Sequence, residues 1–173
     1  MLVDLKPHPD TPCKALTGVS VGVARPEPGL LALRYTFAGQ IAGVRFPVAA
    51  PPARADELWR ATCCEAFLRA GPGEAYYEFN LSPSTQWAAY HFTGYREGMA
   101  LAEIAPPRVI VGANPTHFDL ETLIALPSAA GAPWRAALAA VIEEIDGEIS
   151  YWALEHPPGK PDFHHQAGFR VEL

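Results

Sequence analysis

Glu65 lies in the run TCCEAFLR, and Glu78 and Asn80 lie in AYYEFNL, which begins thirteen residues further on, so two carboxylates and an amide fall inside stretches that read as strands. Alternate residues of an extended chain share a face. Cys63, Glu65 and Phe67 therefore point one way together, as do Tyr76, Glu78 and Asn80. A carboxylate between a cysteine and a phenylalanine is costly to bury without a partner. Glu65 is thus either half of a buried pair with Arg34 or Arg96, or a group that meets a ligand. Glu78 and Asn80 have a plainer alternative, the solvated face of an antiparallel sheet. Two glutamates on adjacent strands also carry the side chains that glycoside hydrolysis needs. No nucleophile–base motif, phosphate-binding loop or dinucleotide fingerprint accompanies them, so no catalytic residue is assigned and the chain reads as a binding protein rather than an enzyme.

A second concentration of polar groups is the tail EHPPGKPDFHH. Glu155, His156, Asp162, His164 and His165 are metal-ligand types, yet neighbouring His164 and His165 point oppositely in an extended chain, and no metal site is assigned. A proline-fixed rim loop, with His156 or His164 and Lys160 hydrogen-bonding a ligand or the backbone, fits the segment better. Met99 with His164 is a Met/His pair of the kind that ligates haem; with one internal methionine in the chain, no cofactor is assigned.

Short strands must position these groups. Strand patterns cover Gly18–Ala24, Leu30–Ala38, Ile41–Val48, Thr62–Arg69, Ala75–Leu81, Gln86–Phe92, Arg108–Ala113 and His117–Leu126. A four-residue loop at Ser82–Thr85 sets Asn80 beside Trp87 and Tyr76 beside His91 on the polar face; one residue of slip sends both partners to the other face. Asp146–Gly147 between AAVIEEI and EISYWAL is a strong hairpin signal, with positive φ expected at both turn residues, and it places Trp152 opposite Val141. Segment 134–145 is ambiguous. Trp134, Leu138, Val141, Ile142 and Ile145 recur at helical spacing behind Pro133, while the hairpin favours a strand, which is the assignment made. The fold class expected is all-β, an antiparallel β-sandwich of about ten strands with little helix.

Composition narrows the partners. The chain is 49% hydrophobic and 18% charged with a formal charge of −6, and it has no Lys/Arg cluster, which argues against nucleic acid. No apolar run approaches a bilayer span, and MLVDLKPHPDTP lacks the basic-then-apolar pattern of a secretory leader. Cys13, Cys63 and Cys64 are an odd count with two adjacent members, read as reduced thiols of a cytoplasmic protein. The length of 173 residues fits one domain over 1–173. A homodimer is left open.

The combination LW-x5-E-x-F, YYEFNLSP-x-x-x-W and YWALEHPPGKPDFHH resembles the DOMON-like group of bacterial proteins, related to family 9 carbohydrate-binding modules, from about Val19 to Leu173. The resemblance implies a β-sandwich of immunoglobulin-like or jelly-roll character with a ligand site on one face or rim. It further implies a sugar held between two tryptophans, with carboxylate and amide groups on its hydroxyls. Trp59, six residues before Glu65, matches the first half of that motif, and Trp152, ahead of His156 and Pro157, the second. The expectation is a non-catalytic domain that binds a carbohydrate or similar small polar ligand through Trp59, Glu65, Glu78, Asn80, Trp87, Trp152, His156 and His164. A protein-interaction β-sandwich is the alternative class, with a haem- or metal-binding domain behind it.

Overall fold

A computed structural model describes residues 1–127 and 133–173. Its strands are β1 (Leu2–Pro7), β2 (Leu16–Ala24), β3 (Leu30–Gly39), β4 (Cys63–Ala70), β5 (Tyr76–Leu81), β6 (Trp87–Phe92), β7 (Ala100–Leu101), β8 (Arg108–Ala113), β9 (His117–Ala125), β10 (Trp134–Glu143), β11 (Ile149–Ala153) and β12 (Val171–Glu172). Helix among the described residues is confined to three-residue 3-10 turns at Ile41–Gly43, Leu58–Arg60 and Gln166–Gly168.

The strands form one antiparallel sheet in the order β7-β6-β5-β4-β10-β11-β1-β2-β3-β9-β8, with β12 beside β10. Strand β1 turns the corner: Leu2–Leu5 pair with β2, and Lys6 and Pro7 pair with Ala153 and Trp152 of β11. Hydrogen bonding therefore runs unbroken from one half to the other, and the sheet curls so that the halves face each other across a shared core. Two separate packed sheets were expected; one curled sheet is what forms.

The core follows from alternation. Leu31, Leu33, Tyr35 and Phe37 of β3 all point inward. Opposite them lie Cys64, Ala66 and Leu68 of β4, Phe79 and Leu81 of β5, and Leu138, Ala140 and Ile142 of β10. Each fully buried Leu or Phe contributes about 1.5–3 kcal/mol. The Tyr35 hydroxyl crosses this core and donates to the backbone carbonyl of Glu65 at 2.7 Å.

Four sequence expectations change. Ile41–Val48 is a 3-10 turn and irregular chain instead of a strand, and Leu2–Pro7, Ala100–Leu101 and Val171–Glu172 are strands that were not foreseen. Segment 134–143 is the strand that was expected; its helical spacing arises because it is buried on both faces, and a doubly buried strand reads as a continuous apolar run with no period of its own. In the β5–β6 hairpin Leu81 pairs with Trp87 and Asn80 with Ala88, one residue away from the expected register. Trp87 and His91 thereby leave the polar face. The Asp-Gly hairpin slips likewise: only Gly147 has positive φ, at 90°, and Trp152 pairs with Ala140 while Tyr151 pairs with Val141. The loop is one residue longer than a tight two-residue turn.

Removing the Tyr35 hydroxyl takes a buried donor from the Glu65 carbonyl without opening a large cavity. Tyr35→Phe should cost about 1–2 kcal/mol in urea unfolding with an unchanged m-value; a midpoint equal to wild type would show that the bond across the core adds nothing.

Candidate ligand-binding site

The face of β4, β5, β6, β10 and β11 turned away from the core carries a second cluster: Phe67, Tyr76, Tyr90 and Phe92 with Ala88, Ala137, Ala139 and Ala153. Register brings the polar residues among them. Glu65 pairs with Asn80 on one side and Ala139 on the other, Glu78 sits between Phe67 and Tyr90, and Tyr76 pairs with Phe92. The alanines are short, which leaves a depression in the sheet surface. Three non-strand segments wall it: the turn holding Trp59, the loop holding Arg96 and Met99, and the proline-rich tail with Pro161, Phe163 and His164. The resulting cavity is about 410 Å³, within the range of small-molecule sites.

Glu65 forms part of its lining. It is only 4% exposed, yet its carboxyl makes no hydrogen bond or ion pair with any described residue. Burial and then the neighbouring Glu78 raise its pKa well above the ordinary carboxylate value, with Arg96 pulling it part of the way back. Glu78, 6% exposed, is also raised by burial and is drawn down by Asn80 and Arg96. Its Oε1 accepts from Asn80 Nδ2 at 2.8 Å.

His164 is boxed by Phe67, Tyr76 and Phe92 at ring distances of 5.0, 5.8 and 5.2 Å. Burial and then the Arg96 charge lower its pKa to about 4, against an opposing pull from Asp162, so at neutral pH the ring is uncharged. The backbone N–H of Arg96 donates to the Tyr76 hydroxyl at 3.2 Å, and that hydroxyl lies 2.7 Å from His164 Nδ1. With Tyr76 accepting from the Arg96 N–H and donating to Nδ1, the proton of the uncharged ring is on Nε2, which lies 3.7 Å from Glu78 Oε2. Arg96 is held by Asp162 at 2.8 Å, and the Tyr95 hydroxyl donates to the other oxygen of the same carboxylate at 2.6 Å. Tyr90 donates to Asp56, and burial followed by that bond raises its pKa.

Two of the non-glycine residues with positive φ stand beside the cavity, Glu57 at 57° just before Trp59 and Arg96 at 56°. Such conformations cost of order 1–3 kcal/mol each and collect at functional sites. Among the described residues no three His, Cys, Asp or Glu side chains are placed to share a metal ion.

Of the residues singled out from sequence, Trp59, Glu65, Glu78 and His164 line the cavity together. Asn80 is fully buried beneath Glu78. Trp87 and Trp152 are on the opposite face, in the core enclosed by the curled sheet, Trp87 under the Arg54 guanidinium at 4.4 Å and Trp152 donating from Nε1 to Ser150 Oγ at 3.0 Å. The one-residue register shifts put them there. His156 is also elsewhere, with Nε2 at 2.8 Å from the Lys6 carbonyl and its ring edge-on to His8. Met99 lines the same cavity as His164. Tyr90, Phe92, Tyr151 and Phe163 were missed as wall residues. The first two are the other phase of the same β6 alternation, and Tyr151 is the neighbour of the tryptophan that was chosen.

No family model and no curated protein sequence matches the chain. Solved structures do. A putative carbohydrate-binding protein from Bacteroides uniformis superposes with a TM-score of 0.72 at 16% identity, over 98% of this chain and 84% of that one. A family 9 carbohydrate-binding module from Caldicellulosiruptor kristjanssonii, in complex with glucose, gives 0.53 at 12% identity over 91% and 76%. The same family's module in complex with cellotriose gives 0.53 at 12% over 91% and 75%. At these identities the likeness is one of fold: the chain has the architecture found in carbohydrate-binding modules.

The buried groups make stability depend on pH in opposing directions. Raised carboxyls stabilise fully below the unfolded value of 4.5, and that contribution is lost as pH climbs through their folded values. His164 stabilises fully above 6.5, and its contribution is lost as pH falls toward about 4. Glu65→Gln should therefore flatten the decline in stability above pH 5 while keeping the loss on acidification, read from chemical unfolding across pH 4–9. An unchanged slope above pH 5 would show that the Glu65 carboxyl is not held protonated by the fold.

Proposed function

We propose that the chain is a non-catalytic binding domain for a carbohydrate or similar small polar ligand, seated in the cavity between Trp59 and the sheet face. The observation that carries this reading is Glu65: a nine-tenths-buried carboxyl without a protein partner, lining a cavity of about 410 Å³ with aromatic walls. A pyranose ring has an apolar face that packs on an aromatic ring and a rim of hydroxyls that need hydrogen bonds. Trp59, held edge-on to Tyr90 at 6.0 Å, with Phe163 and Tyr151 supplies the first. Glu65, Glu78 and Arg96 supply the second, Asn80 and His164 orienting Glu78 from behind. The glucose and cellotriose held by the structural neighbours support the same ligand class.

In this reading the curled sheet serves as the two-layered frame of a single DOMON-like domain over 1–173, working in the cytoplasm with its three cysteines reduced. No described helix is long and apolar enough to cross a membrane. A homodimer would use the outer face of β8 and β9, where Ile110 and Leu123 are exposed, and would leave the cavity free.

Calorimetry against mono- and disaccharides tests the reading. Trp59→Ala should weaken binding about fivefold, corresponding to roughly 1 kcal/mol of stacking, and Arg34→Ala on the far face of the sheet should leave it unchanged. A folded protein that binds no sugar, or a Trp59→Ala variant that binds as wild type, would overturn it.

A further inference from the structure

Acidic groups outnumber cations around Glu65. Glu78, Arg96, His164, Tyr90 and Tyr151 line the same cavity. Arg96 is the one cation among these lining residues, and its guanidinium is taken by Asp162 at 2.8 Å rather than by either glutamate. His164 presents an N–H to Glu78 and no lone pair to the cavity, because Tyr76 occupies its other nitrogen. Two carboxyls therefore face an aromatic-walled space, and neither has a cationic partner among the described residues.

We propose that the ligand of this cavity carries an ammonium group, which sits between Glu65 and Glu78 and against the aromatic walls; the sugar frame rests on the reading above, so the ligand class is an amino sugar. Several chemistries compete for two buried carboxyls, and the geometry separates them. An anionic ligand would face both carboxyls and is disfavoured. A metal ion lacks a third placed ligand. A neutral sugar needs only hydrogen bonds and gives the second carboxyl no reason to be buried beside the first. An ammonium offers three donors on one nitrogen, enough to engage both carboxyls at once. Its remaining contacts suit the faces of Trp59, Tyr90 and Phe92, which attract cations.

A consequence distinguishes the amine from other ligands. In the free protein burial holds Glu65 toward its protonated form, and pairing with an ammonium favours the carboxylate. Binding then breaks the Glu65 O–H bond and delivers that proton to the buffer, while the ammonium keeps its own. Affinity should rise with pH wherever the amine stays protonated.

Isothermal titration at pH 6.5 in two buffers of different ionisation heat, using glucosamine, glucose, N-acetylglucosamine and cyclohexylamine, tests this. Glucosamine should bind at least tenfold more tightly than glucose or N-acetylglucosamine and should release protons, whereas the neutral sugars should release none. Glu65→Gln should abolish the preference; if that variant does not fold, Glu78→Gln and the wild-type proton count carry the test. Equal binding of glucose and glucosamine without proton release would overturn the amine and leave the carbohydrate reading standing. Cyclohexylamine binding as tightly as glucosamine would support the amine and remove the sugar. Failure of all four to bind would overturn both.

Discussion

The eight-residue ladder between β4 and β10, from Trp134 opposite Ala70 to Val141 opposite Cys63, governs the site as much as the core. Because β10 is buried on both faces, it must offer apolar side chains to both, and it does so unequally. Leu138, Ala140 and Ile142 fill the space between the halves, while Ala137 and Ala139 lie under the outer cluster. Had the outer positions been leucines, the depression beside Glu65 would be filled. The same ladder fixes which way β4 faces. Cys64, Ala66 and Leu68 enter the core, so Glu65 and Phe67 must lie on the outer face, where Glu65 lines the cavity and Phe67 joins the aromatic cluster. One pairing thus sets the depth of the site and the orientation of its central carboxyl.

A polar chain then offsets most of the cost of burying charge-bearing groups on that face. Arg96 N–H to Tyr76, Tyr76 to His164, His164 toward Glu78, and Asn80 to Glu78 form a connected series. Such networks orient their members more firmly than isolated bonds. The series stops short of completeness at two atoms groups: the Asn80 Oδ1, which is buried without a partner, and the Glu65 carboxyl. A lone unsatisfied acceptor costs about 1–3 kcal/mol, which the aromatic cluster around His164 must outweigh.

Alternation made much of this legible from sequence. The faces of Glu65, Glu78 and Asn80 follow from period two alone, and so do Leu31, Leu33, Tyr35 and Phe37 in the core. What period two cannot supply is the number of residues a turn consumes. The loop after β5 and the bulged turn at Gly147 each differ from the simplest count by one residue, and each difference carried a tryptophan to the other face. Tyr90 and Tyr151 took their places. The walls from irregular segments were beyond local pattern altogether. Arg96 reaches the cavity from a left-handed backbone position held by Asp162, 66 residues away in sequence, and Phe163 arrives with a tail whose path depends on contacts such as His164 with Tyr76. Trp59 was found only because the run around Glu65 resembles a known motif.

Glu65 joins the two sides of the sheet. Its backbone carbonyl accepts from Tyr35 on the core side, and its carboxyl lines the cavity on the other. A side chain rooted in an eight-residue ladder and pinned from behind loses little further freedom when a ligand arrives, so the cost of binding there is desolvation more than ordering. That desolvation has largely been incurred on folding, since the carboxyl is already out of water. A ligand that supplies the missing donors therefore gains a charge-assisted contact in a dry site, less the cost of ionising a carboxyl that burial holds toward its protonated form. The same physics explains why the partner must be specific: a group that cannot satisfy Glu65 leaves its carboxyl buried and still without a partner.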